Sequence, residues 1–223
     1  MFNNKKKFFA FTLTELLVAL TIIGAIAALT IPSVVSGVHK KLLITSLKNT
    51  VGEIQLLANN QLTVKKTKSL LDTDFADPAK LLREKNFPIV QDCKANTTQC
   101  WTQQYKTING AVSTRYASGR RTVKLKNGAI LSYDLLTGPA LNTDKDDKVI
   151  GIFRIDVNGD SKPNIIGRDV FWFEITKKGK IIDDVRGQNG VYNEANAIAG
   201  CKSEGFITGC YAVVVENNWV SPY

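Results

Sequence analysis

A single carboxylate, Glu15, stands in the otherwise uncharged run from Phe11 to Ile31, FTLTELLVALTIIGAIAALTI. A carboxylate in hydrocarbon is costly, so its position asks what it meets. Two answers suit the residue: a cation offered by a second chain, or a reach back to headgroups about one turn away. Further along, DVNGDSKPN sets Asp156, Asn158 and Asp160 at alternate positions, with Asn164 ninth in the count. Oxygen ligands at that spacing let a tight loop wrap one hard cation, and the ion they suit is Ca2+. The pattern departs from a full calcium loop where Ser161 and Gly167 stand at its sixth and twelfth positions, and Asp169 is the replacement ligand. An Asx-rich turn between two strands explains the same residues with no ion. No other cofactor is expected.

Four cysteines form two local pairs, Cys93 with Cys100 and Cys201 with Cys210. Neither spacing suits a zinc knuckle, and the one histidine, His39, is far from both. Four cysteines allow three pairings. The two local bridges are the expected ones, in an oxidising compartment. The single histidine also excludes H-E-x-x-H, and no P-loop, G-x-S-x-G, S-x-x-K or dinucleotide fingerprint occurs. Asp183 and Asp184 are adjacent, which in a strand sends them to opposite faces. Catalysis is therefore not expected, and an exported enzyme behind a signal anchor is the remote alternative. Arg115, Arg120, Arg121, Lys124 and Lys126, with Tyr116, offer cations and an aromatic for single-stranded nucleic acid, but the solvated face of a strand is the preferred reading. Asp144, Asp146 and Asp147 read as a solvated loop.

These residues must be carried by something. The chain has 223 residues, 44% hydrophobic and 22% charged, enough for one membrane segment and one sizeable head. Its net charge is +9; Lys5, Lys6 and Lys7 supply three of those charges, so the chain without this tip carries 9 − 3 = +6. Residues 11–31 form a run long enough, at about 1.5 Å per residue, to cross a bilayer core of roughly 30 Å. The lysines before it place the N-terminus in the cytoplasm and the head outside. A cleaved secretory signal is the alternative, with AIAALT imitating its cleavage site.

Apolar residues then recur at Leu43, Leu47, Val51, Ile54, Leu57, Ala58 and Leu62, so one helix is expected from Phe11 to about Val64. Pro32 removes a donor and frees the Ala28 carbonyl, and Gly24 weakens the apolar part, so a helix break or kink is expected there. DPAKLLREK reads as a short helix capped by Asp77. RTVKLKNGAILSYDL reads as a hairpin turning at Asn127-Gly128, and VIGIFRIDV, VFWFEI and KIIDDV read as further strands. CYAVVVENNW is a buried strand or a short helix. The sum is an α+β chain, a long N-terminal helix on an antiparallel sheet.

Its first segment resembles the type IV pilins and type II secretion pseudopilins over about Lys5 to Val64. The resemblance rests on the basic leader, Phe11, Glu15 in fifth place after the cut, the apolar run and Pro32 at its end. Ala10 stands where the family usually has Gly, and Thr14 where an apolar residue is commoner. The resemblance implies cleavage between Ala10 and Phe11 by a prepilin peptidase and N-methylation of Phe11. It further implies storage in the inner membrane and assembly with other pilin subunits into a cell-surface or periplasmic filament, with Glu15 meeting a neighbour's Phe11 ammonium. The expected division is a leader at 1–10, a transmembrane helix at 11–31, its amphipathic continuation at 32–64 and an α+β head at 65–223. The expected function is a structural filament subunit; a pilin-anchored module for DNA uptake or adhesion is the alternative.

Overall fold

The computed structural model describes residues 12–95, 99–102, 104–113, 120–136, 148–183, 193–203 and 208–223. The chain divides into two compact units, Met1–His39 and Lys40–Tyr223. Helix α1, Leu13–Lys65, contributes to both. In the first unit it is bare: Leu13, Leu16, Leu17, Ile22, Ile23 and Leu29 are all more than half exposed. The helix continues through Gly24 and Pro32, over the span expected of it. One missing N–H removes one bond, and the turns on either side keep the helix going.

In the second unit α1 becomes one-sided. Leu43, Leu47, Val51, Ile54 and Ala58 are buried, while Leu42, Leu56 and Val64 face out. The three- and four-residue steps of the buried set keep it on one face, as the sequence pattern requires. After α1, two short 3-10 turns, Leu70–Asp72 and Asp74–Ala76, lead to α2, Pro78–Leu81. Asp77 caps α2 by accepting the Ala79 N–H at 2.8 Å, as expected, but the helix ends after four residues.

Among the described residues eight strands follow: β1 (Ile89–Lys94), β2 (Tyr105–Lys106), β3 (Val112–Ser113), β4 (Thr122–Leu125), β5 (Ile130–Leu135), β6 (Val149–Asp156), β7 (Val170–Thr176) and β8 (Ile181–Ile182). Six make an antiparallel sheet in the order β1-β4-β5-β6-β7-β8, and β2 pairs with β3. The β4–β5 hairpin turns at Asn127-Gly128, where Gly128 takes φ +89°. Every residue of β6 is buried. Both faces of the sheet are therefore covered at β6. On one face Tyr133, Phe153, Phe171 and Phe173 join the α1 stripe in a single core. On the other, Trp101 donates from Nε1 to Thr122 Oγ1 at 3.2 Å, and Arg154 stacks over Trp172 at 4.2 Å.

Among the described residues two helices follow, α3 (Glu194–Lys202) and α4 (Cys210–Glu216). The ambiguous run CYAVVVENNW is thus helical over its first seven residues. Its first turn is capped from a distance: Asp183 accepts the Gly209 and Ala212 N–H groups at 3.0 Å. The architecture is α+β, a long N-terminal helix followed by an antiparallel sheet of six strands.

Candidate functional site

Thr12 and Glu15 form the start of α1. The Thr12 N–H and hydroxyl both donate to Glu15 Oε2, at 2.9 and 2.8 Å, and the Glu15 N–H donates back to Thr12 Oγ1 at 3.2 Å. This is a capping box: T-x-x-E satisfies two orphan donors of the first turn reciprocally. Glu15 is therefore occupied within its own helix. Thr12 was not singled out from the sequence, although the TLTE tetrapeptide carries the signature. Exposed Thr14, Val18, Ala19 and Ile22 lie beside this carboxylate. Ala10 and Phe11, the expected processing residues, lie outside the described residues, as do Lys5, Lys6 and Lys7.

The cysteines pair locally, Cys93 with Cys100 and Cys201 with Cys210, with Cα atoms 6.0 and 4.7 Å apart. The second bridge joins α3 to α4, and a side chain at Gly167 would press on both of its sulfurs.

The Asp156 loop is held by its own hydrogen bonds. Asp156 Oδ2 accepts the Tyr105 hydroxyl at 2.7 Å, and Oδ1 accepts the N–H groups of Asn158 and Gly159 at 3.2 and 2.8 Å. Asp169 accepts the N–H groups of Asn164 and Ile165, each at 2.6 Å. Asp160 turns away to Lys124 Nζ at 2.8 Å. Burial pushes the Asp156 carboxyl up to about 7, with the nearby Asp169 adding to the rise and the three donors opposing it. Burial likewise drives the Tyr105 phenol well above its ordinary range.

Among the described residues, no three His, Cys, Asp or Glu side chains gather as a metal-binding group. Asn158 Oδ1 and Asn164 Oδ1 are nevertheless buried and accept no hydrogen bond among the described residues. Two orphan amide oxygens near two buried carboxylates suit a hard cation, whereas the Lys124–Asp160 pair opposes one. Tyr105 and Lys124 were both outside the sequence reading of this loop; they reach it from 51 and 36 residues away.

The cations weighed above as a nucleic-acid strip are largely paired. Arg120 pairs with Asp134 at 2.9 Å, Arg121 with Asp92, and Lys124 with Asp160. Arg115 and Tyr116 lie outside the described residues, as do Asp144, Asp146, Asp147 and Asp184. Three of the five cations thus already face carboxylates, which suits a solvated strand face.

The fold and the capped apolar helix together define a pilin-like α+β chain. Residues 5–31 match the family model of the prokaryotic N-terminal methylation motif, the signature of type IV pilins and pseudopilins. No curated protein and no solved structure matches the chain. The motif marks a prepilin-peptidase substrate and implies assembly with other pilins. Together with the apolar helix it fits a chain that is first membrane-anchored and then filament-forming, and it favours a structural role over an enzymatic one.

Proposed function

We propose that this chain is a structural subunit of a type IV pilus or type II secretion-like filament. In its stored form it is a single-pass protein of the inner membrane with its head outside. After cleavage between Ala10 and Phe11 and methylation of Phe11, α1 leaves the lipid and packs among the helices of neighbouring subunits.

The observation that carries this reading is the change of burial along one helix. Leu13, Leu16, Leu20, Ile26, Leu29, Ile31, Val35 and Val38 are exposed, whereas Leu43, Leu47, Val51, Ile54 and Ala58 are buried. An apolar stretch of that length needs lipid or other helices around it. Repetition of one contact without closure then generates a fibre. In that fibre Glu15 exchanges its bonds with Thr12 for the Phe11 ammonium of a neighbour, a pair that sets register more than it adds stability.

The experiment is mass spectrometry of the chain extracted from membranes, paired with assembly of the Glu15→Val variant. The expected result is a start at Phe11 carrying one added methyl, and a Glu15→Val chain that folds but stays out of filaments. A start at Met1, or normal incorporation of Glu15→Val, would count against the proposal.

The Asp156 loop is proposed to take Ca2+ as a structural ion of the head. The orphan oxygens of Asn158 and Asn164 support this, and a calcium titration of the head's melting temperature tests it.

A further inference from the structure

The base of the second unit, where its helix begins at Lys40, is built from three segments. Ser46 Oγ donates to the Val157 carbonyl at 3.2 Å, which puts the end of β6 beside the second turn of that helix. Ile130 stands opposite Asp156 in the sheet, so the β4–β5 turn lies at the same end. There the Gly128 carbonyl lies close against Gly159, joining that turn to the β6–β7 loop.

Each segment presents cations. Lys40, Lys41, Lys126 and Lys162 are exposed and Arg168 is half-buried. None of the five forms an ion pair among the described residues. The acids of the two loops do not offset them: Asp156 and Asp169 are buried, and Asp160 is taken by Lys124. The base therefore carries a concentrated positive charge with no acidic partner in its own loops.

We infer that these cations rest on anionic phospholipid headgroups of the leaflet from which the head emerges. The inference rests on the membrane-stored reading above. Lys40 lies nine residue steps after Ile31, the end of the apolar run, with eight residues between them. That tether measures about 14 Å as helix and about 30 Å fully stretched. It keeps the base close to a surface whose potential decays over a Debye length of about 8 Å. A lysine ammonium is a compact point charge, which suits single-charged phosphodiesters. Each lysine near such a surface favours the docked state about fivefold, so four shift it several hundredfold, roughly. Docking would hold the head on the bilayer until assembly withdraws α1.

The test uses the full chain in nanodiscs of phosphatidylcholine alone or mixed with phosphatidylglycerol, read by hydrogen exchange over residues 126–128 and 158–168. Both loops should exchange several-fold more slowly in the anionic discs, and high salt should remove the difference. Lys126→Glu with Lys162→Glu should remove it too. Lys65→Glu with Lys66→Glu makes the same charge change at the other end of α1 and should leave it intact. Equal exchange in the two lipids, or equal loss in both double variants, would overturn the inference. Protease digestion of the same discs separates the two levels. Cleavage within residues 13–31 would sink the membrane-stored reading and the inference with it. A protected segment with lipid-independent loops would sink the inference alone.

Discussion

The Tyr105 hydroxyl and the Asp156 carboxylate meet at 2.7 Å inside the head, both side chains buried. Burial raises Asp156 to about 7, from a model-peptide value of 3.8. The folded protein therefore holds a proton that the unfolded chain releases between those two pH values. Stability from this group is complete below about pH 4 and is lost as pH rises through about 7. This is opposite in sign to ordinary acid denaturation. Asp156→Asn keeps an acceptor for Tyr105 and has nothing to titrate. Melting temperatures of the two proteins should converge at low pH and diverge toward pH 8, with the wild type falling behind. Parallel curves across that range would show that Asp156 does not carry the proton.

Lys124 occupies a carboxylate that a bound ion would use. Its Nζ lies 2.8 Å from Asp160 Oδ2, and its charge repels any cation approaching the loop. Lys124→Gln should release Asp160 and raise the affinity for calcium. The calcium-dependent rise in melting temperature should then be larger in the variant than in the wild type. It should also grow above pH 7, because the ion needs an ionised Asp156. Indifference of both proteins to calcium would assign the orphan Asn158 and Asn164 oxygens to water.

Much of this arrangement was legible locally, and the parts that were not share a cause. The β4–β5 hairpin was written in Asn127-Gly128, because Gly128 adopts the positive φ that the turn requires. The buried stripe of α1 was written in its periodicity, since one face of one helix carries it. α4 was not readable from CYAVVV, because its first-turn donors are capped by Asp183, 26 residues before Gly209. β1 was missed because it is an exposed edge: Val90, Gln91 and Asp92 face solvent and break the alternation. The Asp156 loop was recognised as a ligand-like pattern, but Tyr105 and Lys124, which hold its carboxylates, come from other strands. Contacts made across the fold leave no spacing in the sequence.

Gly151 is required by the Tyr133 ring, diagonally across from it on the neighbouring strand. A Cβ at this position would fall within the Tyr133 side chain. That ring has little freedom to yield, because its hydroxyl donates to the Phe75 carbonyl at 2.9 Å and it packs edge-to-face with Phe75 and tilted against Phe153. Gly151→Ala should destabilise the head by about 1–3 kcal/mol through overpacking. Tyr133→Leu vacates space, so the double variant should be less destabilised than the sum of the two single changes. Urea midpoints of the four proteins check this, and strict additivity would rule out the steric account.

Thr12 and Glu15 separate two roles that one carboxylate performs. In the isolated chain Glu15 accepts two bonds from Thr12 and closes the first turn of α1. In a filament the same carboxylate is proposed to accept a neighbour's ammonium, so the intramolecular bonds compete with the intermolecular pair. Thr12→Val removes the hydroxyl bonds and leaves the backbone donor and the Glu15 charge. It should fray the start of the helix by about 1 kcal/mol, the usual cost of a lost cap. Incorporation into filaments should persist, because the released carboxylate is free to pair. Glu15→Gln keeps an acceptor for the Thr12 N–H and removes the charge. It should preserve the cap and lose incorporation. Filament content in sheared fractions, set beside membrane-retained subunit, reads both variants. If Thr12→Val stays out of filaments as completely as Glu15→Gln, the cap itself is the assembly determinant and the charge is secondary. If Glu15→Gln assembles normally, the ammonium pair has no part in register.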